Sequence, residues 1–292
     1  MQRTRSLACA LLAAVIWASS FPVVKACLKE FPPATLAFLR SALAVPVLLA
    51  VSSRREVSRM LKRDLGLSSI LALAGVSISL LLEHYSLIAI TATAGSILIN
   101  TSPVFMALLS SVLLGESLGR RGWLGTGLAF LGASLVATEG EVALRPDHAA
   151  VVGSCLMLGS AICWAIYSVL GKDALRRYSP IETTAVSFGL GALYLLPLFL
   201  GESCVAGLPS AELSGWLGAL HLGLLCSALA YYLWYKALSE LGAGEAGAIL
   251  YTIPPMSAAF SYAIIGEIPT PAIVFGAVLV LTGIYLVERE RG

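Results

Sequence analysis

Apolar residues run along this chain in blocks of about twenty, separated by short polar stretches. They do not alternate with polar residues at the period of a strand. Crossing a hydrocarbon layer as a helix takes about 20 residues, and ten blocks reach that length. They lie at roughly 6–26, 33–51, 66–86, 92–114, 121–138, 149–170, 181–200, 213–237, 243–265 and 270–287. Pro33, Pro180 and Pro271 stand at block starts, where the first turn of a helix tolerates proline. Most connections are short, so neighbouring helices should pack as antiparallel pairs. Two longer connections, near 52–65 and 138–148, read as loops. The second is polar, with Glu139, Glu141, Arg145, Pro146 and Asp147. It divides the chain into five-helix halves at 1–138 and 149–292, joined by an external linker at 139–148. The pattern predicts an all-α membrane protein with ten transmembrane helices.

The two halves repeat each other. Ala94 to Glu116 reads AGSILINTSPVFMALLSSVLLGE, and Glu245 to Glu267 reads EAGAILYTIPPMSAAFSYAIIGE. Pro103 to Glu116 and Pro254 to Glu267 are both thirteen residues apart. Gly125 matches Gly276 and Gly132 matches Gly283, all at an offset of 151. In a second register, offset 147, Trp17 matches Trp164, Lys25 matches Lys172 and Pro33 matches Pro180. Doubled membrane units of this kind build many secondary transporters.

Lys and Arg set the orientation. With both termini cytoplasmic, the inner segments hold Arg3, Arg5, Arg54, Arg55, Arg59, Lys62, Arg63, Arg120, Arg121, Lys172, Arg176, Arg177, Lys236, Arg289 and Arg291, which is 15 of the 19. Five is odd, so the second half must sit upside down relative to the first, as an inverted-topology repeat. Arg3 and Arg5 before a Leu/Ala/Val run are similar to a signal peptide, but Trp17, Phe21 and the many later blocks fit an uncleaved first helix.

Composition agrees with a membrane setting. Of 292 residues, 58% are hydrophobic and only 12% charged, against about 25% in soluble domains. A net charge of +2 with no basic tail gives no sign of a nucleic-acid partner. The six cysteines form no C-x-x-C pair, so neither zinc nor a redox motif is indicated, and no cofactor or metal is expected. His84, His148 and His221 are far apart, and the chain has no H-E-x-x-H, no G-x-S-x-G and no G-x-x-x-x-G-K-[ST]. An enzyme or an ATP-driven pump is therefore not expected.

Ionisable groups at membrane depth are costly, about 2.5–3.5 kcal/mol each on insertion scales, and point to function by default. Glu83 and His84, in the third block, could pass protons or hold a cationic solute. Adjacent residues point about 100° apart on a helix, so one of the two should face the interior. Glu245 opens the ninth block and is a further ion-coupling candidate, although a carboxylate in a first turn is also favoured by the helix dipole. Arg40 reads as structural, snorkelling outward or pairing with an acid such as Glu83. Glu116 and Glu267 read as parts of helix-hairpin turns. Asn100 and Thr101 precede Pro103, and Tyr251 and Thr252 precede Pro254. Each proline removes a backbone donor and frees a carbonyl at mid-membrane, where solute sites form in inverted repeats. Ser and Thr there could equally reconnect the kinked helix. Trp17 and Trp164 lie near mid-helix. With Tyr85, Tyr167, Trp234 and Tyr251 they could wall a site for an apolar or cationic solute.

W-x-S-x-F at residues 17–21, the arginine in AFLRSALA and the late P-x(11)-G-E followed by spaced glycines resemble the drug/metabolite transporter superfamily. Each half is similar to an EamA domain, over about 7–138 and 150–287. The resemblance implies a ten-helix basket in the cell (inner) membrane, with a cavity lined by the first, third, fourth, sixth, eighth and ninth helices. It implies movement of small organic solutes, often by export; the function expected here is export of a small organic metabolite, such as an amino acid or related solute, by alternating access, with proton exchange or by facilitated diffusion. The expected partners are that solute and membrane lipids, with the chain a monomer or homodimer. The alternative is a lipid-handling or scaffold protein of the same fold. Glu83–His84 is where this chain departs from the commoner pattern.

Overall fold

The computed structural model describes residues 2–114, 119–137, 148–206, 211–241 and 249–291. Among them every regular element is a helix. In chain order these are α1 (Gln2–Cys27), α2 (Pro33–Val51), α3 (Arg54–Arg63), α4 (Leu65–Ala89), α5 (Ala92–Ile99), α6 (Ser102–Leu114), α7 (Arg120–Ala137), α8 (His148–Ala174), α9 (Pro180–Ala206), α10 (Leu213–Glu240), α11 (Ile253–Ile265) and α12 (Pro271–Arg291). Seven apolar helical spans among the described residues are long enough to cross a membrane, counting α5 and the start of α6 as one, and α11 and α12 are shorter apolar helices. Leu11, Leu12, Leu124, Leu131, Leu193 and Phe275 point outward and exposed. Such a surface is suited to lipid, and the chain is a multi-pass membrane protein.

The packing follows the repeat. α1 lies against α10 and α11, while α8 lies against α4, α5 and α6. α2 packs on α9, and α7 packs on α12. Exchanging α1 for α8, α4 for α10 and α6 for α11 turns the α1 pairings with α10 and α11 into those of α8 with α4 and α6, and the α2–α9 and α7–α12 pairs map onto themselves. The α7–α12 crossing is the tightest instance. A Cβ on Gly125 would stand 2.4 Å from the carbonyl oxygen of Gly283, and one on Gly132 would stand 2.6 Å from that of Gly276. Repeat-related glycines thus let two backbones touch, running antiparallel.

Three local features depart from the sequence expectation. Residues 52–65 are not a loop, because α3 occupies most of them. Val57, Met60 and Leu61 give it a narrow apolar stripe that a membrane-length window averages away. The fourth block is not one helix, because the chain turns at Asn100–Thr101 between α5 and α6. The same break recurs at Tyr251–Thr252 before α11. Both α4 and α10 carry a wider π-helical stretch, at Leu73–Ile78 and His221–Leu229. Glu116, Glu245 and residues 139–147 of the linker lie outside the described residues, and His148 belongs to α8.

Carboxylates reach across the fold to helix starts, where backbone N–H groups lack partners. Glu202 of α9 accepts the amides of Ala34 and Thr35 at 3.1 and 2.7 Å, and the Thr35 hydroxyl at 2.9 Å. Glu267 accepts those of Ala92 and Thr93 at 3.0 and 2.8 Å, so it caps α5 rather than only shaping its own turn. Glu182 accepts the Ser53 amide just before α3. At the other end of α3, Asp64 accepts Arg177 at 2.6 Å and the Tyr178 hydroxyl. Tyr178, helped by Arg177, holds the Asp64 carboxyl below its ordinary range.

Two outcomes follow for thermal unfolding in detergent. Gly132→Val pushes a side chain into a backbone that cannot yield, and should destabilise by about 1–3 kcal/mol. Gly127→Ala on the same helix meets nothing within 4 Å and should leave stability unchanged or slightly higher. Because the folded pKa of Asp64 is depressed, its contribution is present above the unfolded value of about 3.9 and is lost as pH falls through the lower folded value. Asp64→Asn should therefore lower the melting temperature at neutral pH, and the gap to wild type should close below about pH 4.

Candidate functional site

A cavity of about 540 Å³, counting its open mouth, lies where α1, α2, α4, α8, α10 and the two broken helices meet. Trp17, Phe21, Trp164 and Tyr231 form its aromatic wall, with Ile99, Leu250 and Ile253 as aliphatic surface. Its polar groups are Ser20, Arg40, Ser79, Glu83, Asn100 and Ser102.

The aromatic wall is built from crossing rings. Trp17 and Trp164, repeat counterparts, meet edge to face with centroids 5.2 Å apart. Tyr231 stands perpendicular to both, at 5.5 and 5.3 Å. The π stretches anchor this cluster. Trp17 Nε1 donates to the Cys226 carbonyl of α10 at 3.0 Å, and the Tyr231 hydroxyl donates to the Gly75 carbonyl of α4 at 3.1 Å. Trp234 packs behind Trp17 and Trp164 at 5.8 and 6.3 Å. Tyr167 continues the stack away from the cavity, against Trp164 at 5.3 Å and Tyr235 at 4.9 Å.

The charged groups are a buried pair. The Arg40 side chain is 2% exposed and Glu83 12%, with Arg40 Nη1 3.6 Å from Glu83 Oε1. Arg40 Nε donates to Ser227 Oγ at 3.1 Å. Its Nη1 also lies 3.3 Å from His84 Nε2, while His84 Nδ1 lies 3.1 Å from the Pro33 carbonyl. Arginine only donates, so Nε2 accepts and Nδ1 carries the proton. A neutral imidazole satisfies both contacts. Glu83 Oε1, the oxygen nearest Arg40, is buried with no hydrogen bond among the described residues, and the Glu83 residue lines the cavity.

The sequence candidates separate accordingly. Trp17, Glu83, Asn100 and Trp164 line the cavity. His84 does not; it is fully buried against α2. Tyr85 lies two residues beyond Glu83, about 200° around the helix, so it is 44% exposed and donates to Glu202 at 3.2 Å. Tyr167 and Trp234 form the layer behind the wall. Thr101 and Thr252 turn back on their own chains. Thr101 Oγ1 donates to Leu98 and Thr252 Oγ1 to Ile249, both at 2.7 Å, which reconnects each break before Pro103 and Pro254. Asn100 Nδ2 likewise donates to Ser96 at 2.7 Å, although the side chain remains in the wall. Tyr251 is half-buried beside its break and outside the cavity lining.

Arg40, read from sequence as structural, stands in the cavity wall as well as in the pair. Tyr231, Ser20 and Ser79 are site residues that sequence reasoning passed over. Ser20 occupies an unspecified position of the W-x-S-x-F stretch, whose named serine is Ser19, so the motif does not single it out. Tyr231 is one of two adjacent tyrosines in an apolar block, and only packing distinguishes it from Tyr232.

The model of the EamA-like transporter family matches the chain twice, over residues 4–138 and 151–289. An uncharacterized transporter of Archaeoglobus fulgidus is 34% identical over 281 residues, covering 96% of each chain. A probable terminal-alkyne amino-acid exporter of Streptantibioticus cattleyicolor is 29% identical, covering 99% of this chain and 95% of its own. A crystal structure at 19% identity superposes with a TM-score of 0.64 over 96% of this chain and 95% of the other, which speaks for the fold alone. With a double match spanning nearly its whole length and relatives named as transporters, this chain belongs to the EamA-like transporter family.

Proposed function

We propose that the chain is a secondary transporter that exports a small organic metabolite, an amino acid or related solute, across the plasma membrane by alternating access. The carrying observation is the cavity at the meeting of two broken helices, with one buried cation, one buried anion and an aromatic wall. The Glu83 carboxylate lines the cavity with Trp17 and Trp164 and offers a counter-charge for a solute ammonium group. Arg40 offers donors for a carboxylate. A zwitterion satisfies both without adding net charge to the membrane interior. The name of the Streptantibioticus relative, an amino-acid exporter, supports this solute class.

The same reading holds ten transmembrane helices as two inverted five-helix repeats, divided at 139–148, with both termini cytoplasmic. The self-mapping helix pairs and the antiparallel α7–α12 glycine contact support the inversion. The one-sided distribution of Lys and Arg supports the orientation. The halves would rock about the cavity. Glu83 is the candidate for proton coupling, since His84 has both ring nitrogens engaged.

Counterflow of labelled amino acids in proteoliposomes tests this. Wild type should exchange at least one of them, and total inactivity across amino acids, amines and organic acids would favour a lipid-handling role instead. Glu83→Gln should lower exchange at least about tenfold, the loss of one charge-assisted contact, and should abolish any dependence on a pH gradient. It should also destabilise by about 3–5 kcal/mol, because Arg40 is left uncompensated. An Arg40→Gln, Glu83→Gln double variant should recover most of that stability and none of the exchange. Wild-type exchange by Glu83→Gln would remove Glu83 from the site.

A further inference from the structure

Half of α3 is basic. Arg54, Arg55, Arg59, Lys62 and Arg63 occupy five of its ten positions, and all five are exposed. The helix joins two membrane spans through very short links: α2 ends at Val51 and α4 begins at Leu65. A residue of extended chain reaches only about 3.3–3.6 Å, so α3 cannot leave the headgroup layer.

Its orientation in that layer is set from the protein side. Met60 is fully buried, and Val57 and Leu61 pack against the core. Glu182 holds the chain at Ser53 before the helix, and Arg177 and Tyr178 hold Asp64 after it. The apolar face is therefore used up. At about 100° per residue, Arg55, Arg59, Lys62 and Arg63 fall within one arc opposite Val57, Met60 and Leu61. Glu56 pairs with Arg59 at 3.2 Å on the exposed surface. Arg55, Lys62 and Arg63 have no acidic side chain within salt-bridge distance among the described residues. Beside Arg177, Lys172 and Arg176 are exposed, as is Asp173, which pairs with Arg177 at 2.9 Å.

We propose that α3 is a docking surface for anionic phospholipid headgroups, whose phosphodiesters take the arginines and lysine of its outer arc. Charge complementarity and enforced depth carry the assignment. A guanidinium held at headgroup level by a rigid clamp meets a phosphodiester at low entropic cost. Through Asp64 and Glu182 the bound lipid would brace the α2–α4 connection against the α8–α9 turn. This docking is independent of which solute the cavity carries.

The test uses the full-length protein in nanodiscs of phosphatidylcholine with a minority of phosphatidylglycerol, with retained lipid read by native mass spectrometry. Wild type should retain phosphatidylglycerol over phosphatidylcholine by at least about tenfold relative to their mixing ratio, given the attraction of anionic lipid for each added basic group. That preference should fade as salt rises toward 1 M, where screening acts within about 3 Å. An Arg55→Gln, Arg59→Gln, Lys62→Gln, Arg63→Gln variant should lose most of it. An all-lysine version of the three arginines should keep it, as should Arg120→Gln, Arg121→Gln at another exposed basic site. No preference in wild type, or an unchanged preference in the quadruple glutamine variant, overturns the proposal. So does inorganic phosphate at millimolar concentration displacing the lipid, which would mark a generic anion site. If the quadruple variant fails to fold, the wild-type salt series decides alone.

Discussion

A hydrocarbon layer offers no hydrogen bonds, so every polar group taken into it must find its partner inside the protein. This constraint orders most of what is distinctive in the structure. Where α5 gives way to α6 and again where α11 begins, threonine hydroxyls take the carbonyls three residues back. Where helices begin, carboxylates arrive from distant parts of the chain to accept their amides. Glu202 and Glu267 do this over sequence separations of more than 160 residues. The helix ends are thus tied by charge-assisted bonds to the other half of the chain, and the basket is stapled at its rims.

The same constraint makes the Arg40–Glu83 pair informative. Burying two charges is expensive, and a hydrophobic replacement is often no less stable. Arg40 is nonetheless held by Ser227, His84 and Glu83 together. Glu83 lines the cavity, and its oxygen nearest Arg40 has no hydrogen bond among the described residues. Its neighbours are rings, which bind cations by their faces and exclude water. Charge and aromatic wall are therefore complementary parts of one site.

Close backbone approach is the other organising feature. Between α7 and α12 no apolar driving force separates protein from lipid, so the helices associate by surface fit. Glycines make that fit possible by removing the Cβ atoms that would meet carbonyl oxygens. The contact joins equivalent helices of the two repeats, away from the cavity. It leaves α1, α2, α4, α8, α10 and the broken helices to form the cavity.

Much of the fold was legible in the sequence, because a membrane span is a local property. Twenty apolar residues declare a helix whatever surrounds them, and the edges at Pro33, Val51 and Ala92 were read to the residue. The recurrence of Pro103 with Pro254 and of Gly125 with Gly276 made the repeat visible, since symmetry is written in spacing. α3 was missed because its apolar stripe is three residues among charges. Within the site, sequence could name chemistry but not direction. Glu83, His84 and Tyr85 are consecutive, and nothing local says which faces inward. The packing of α4 between α2 and α8 decides it, sending Glu83 to the cavity, His84 to α2 and Tyr85 to Glu202. Arg40 and Tyr231 became site residues only when helices far apart in sequence closed around one space. Facing is set by contacts that form only in the tertiary structure.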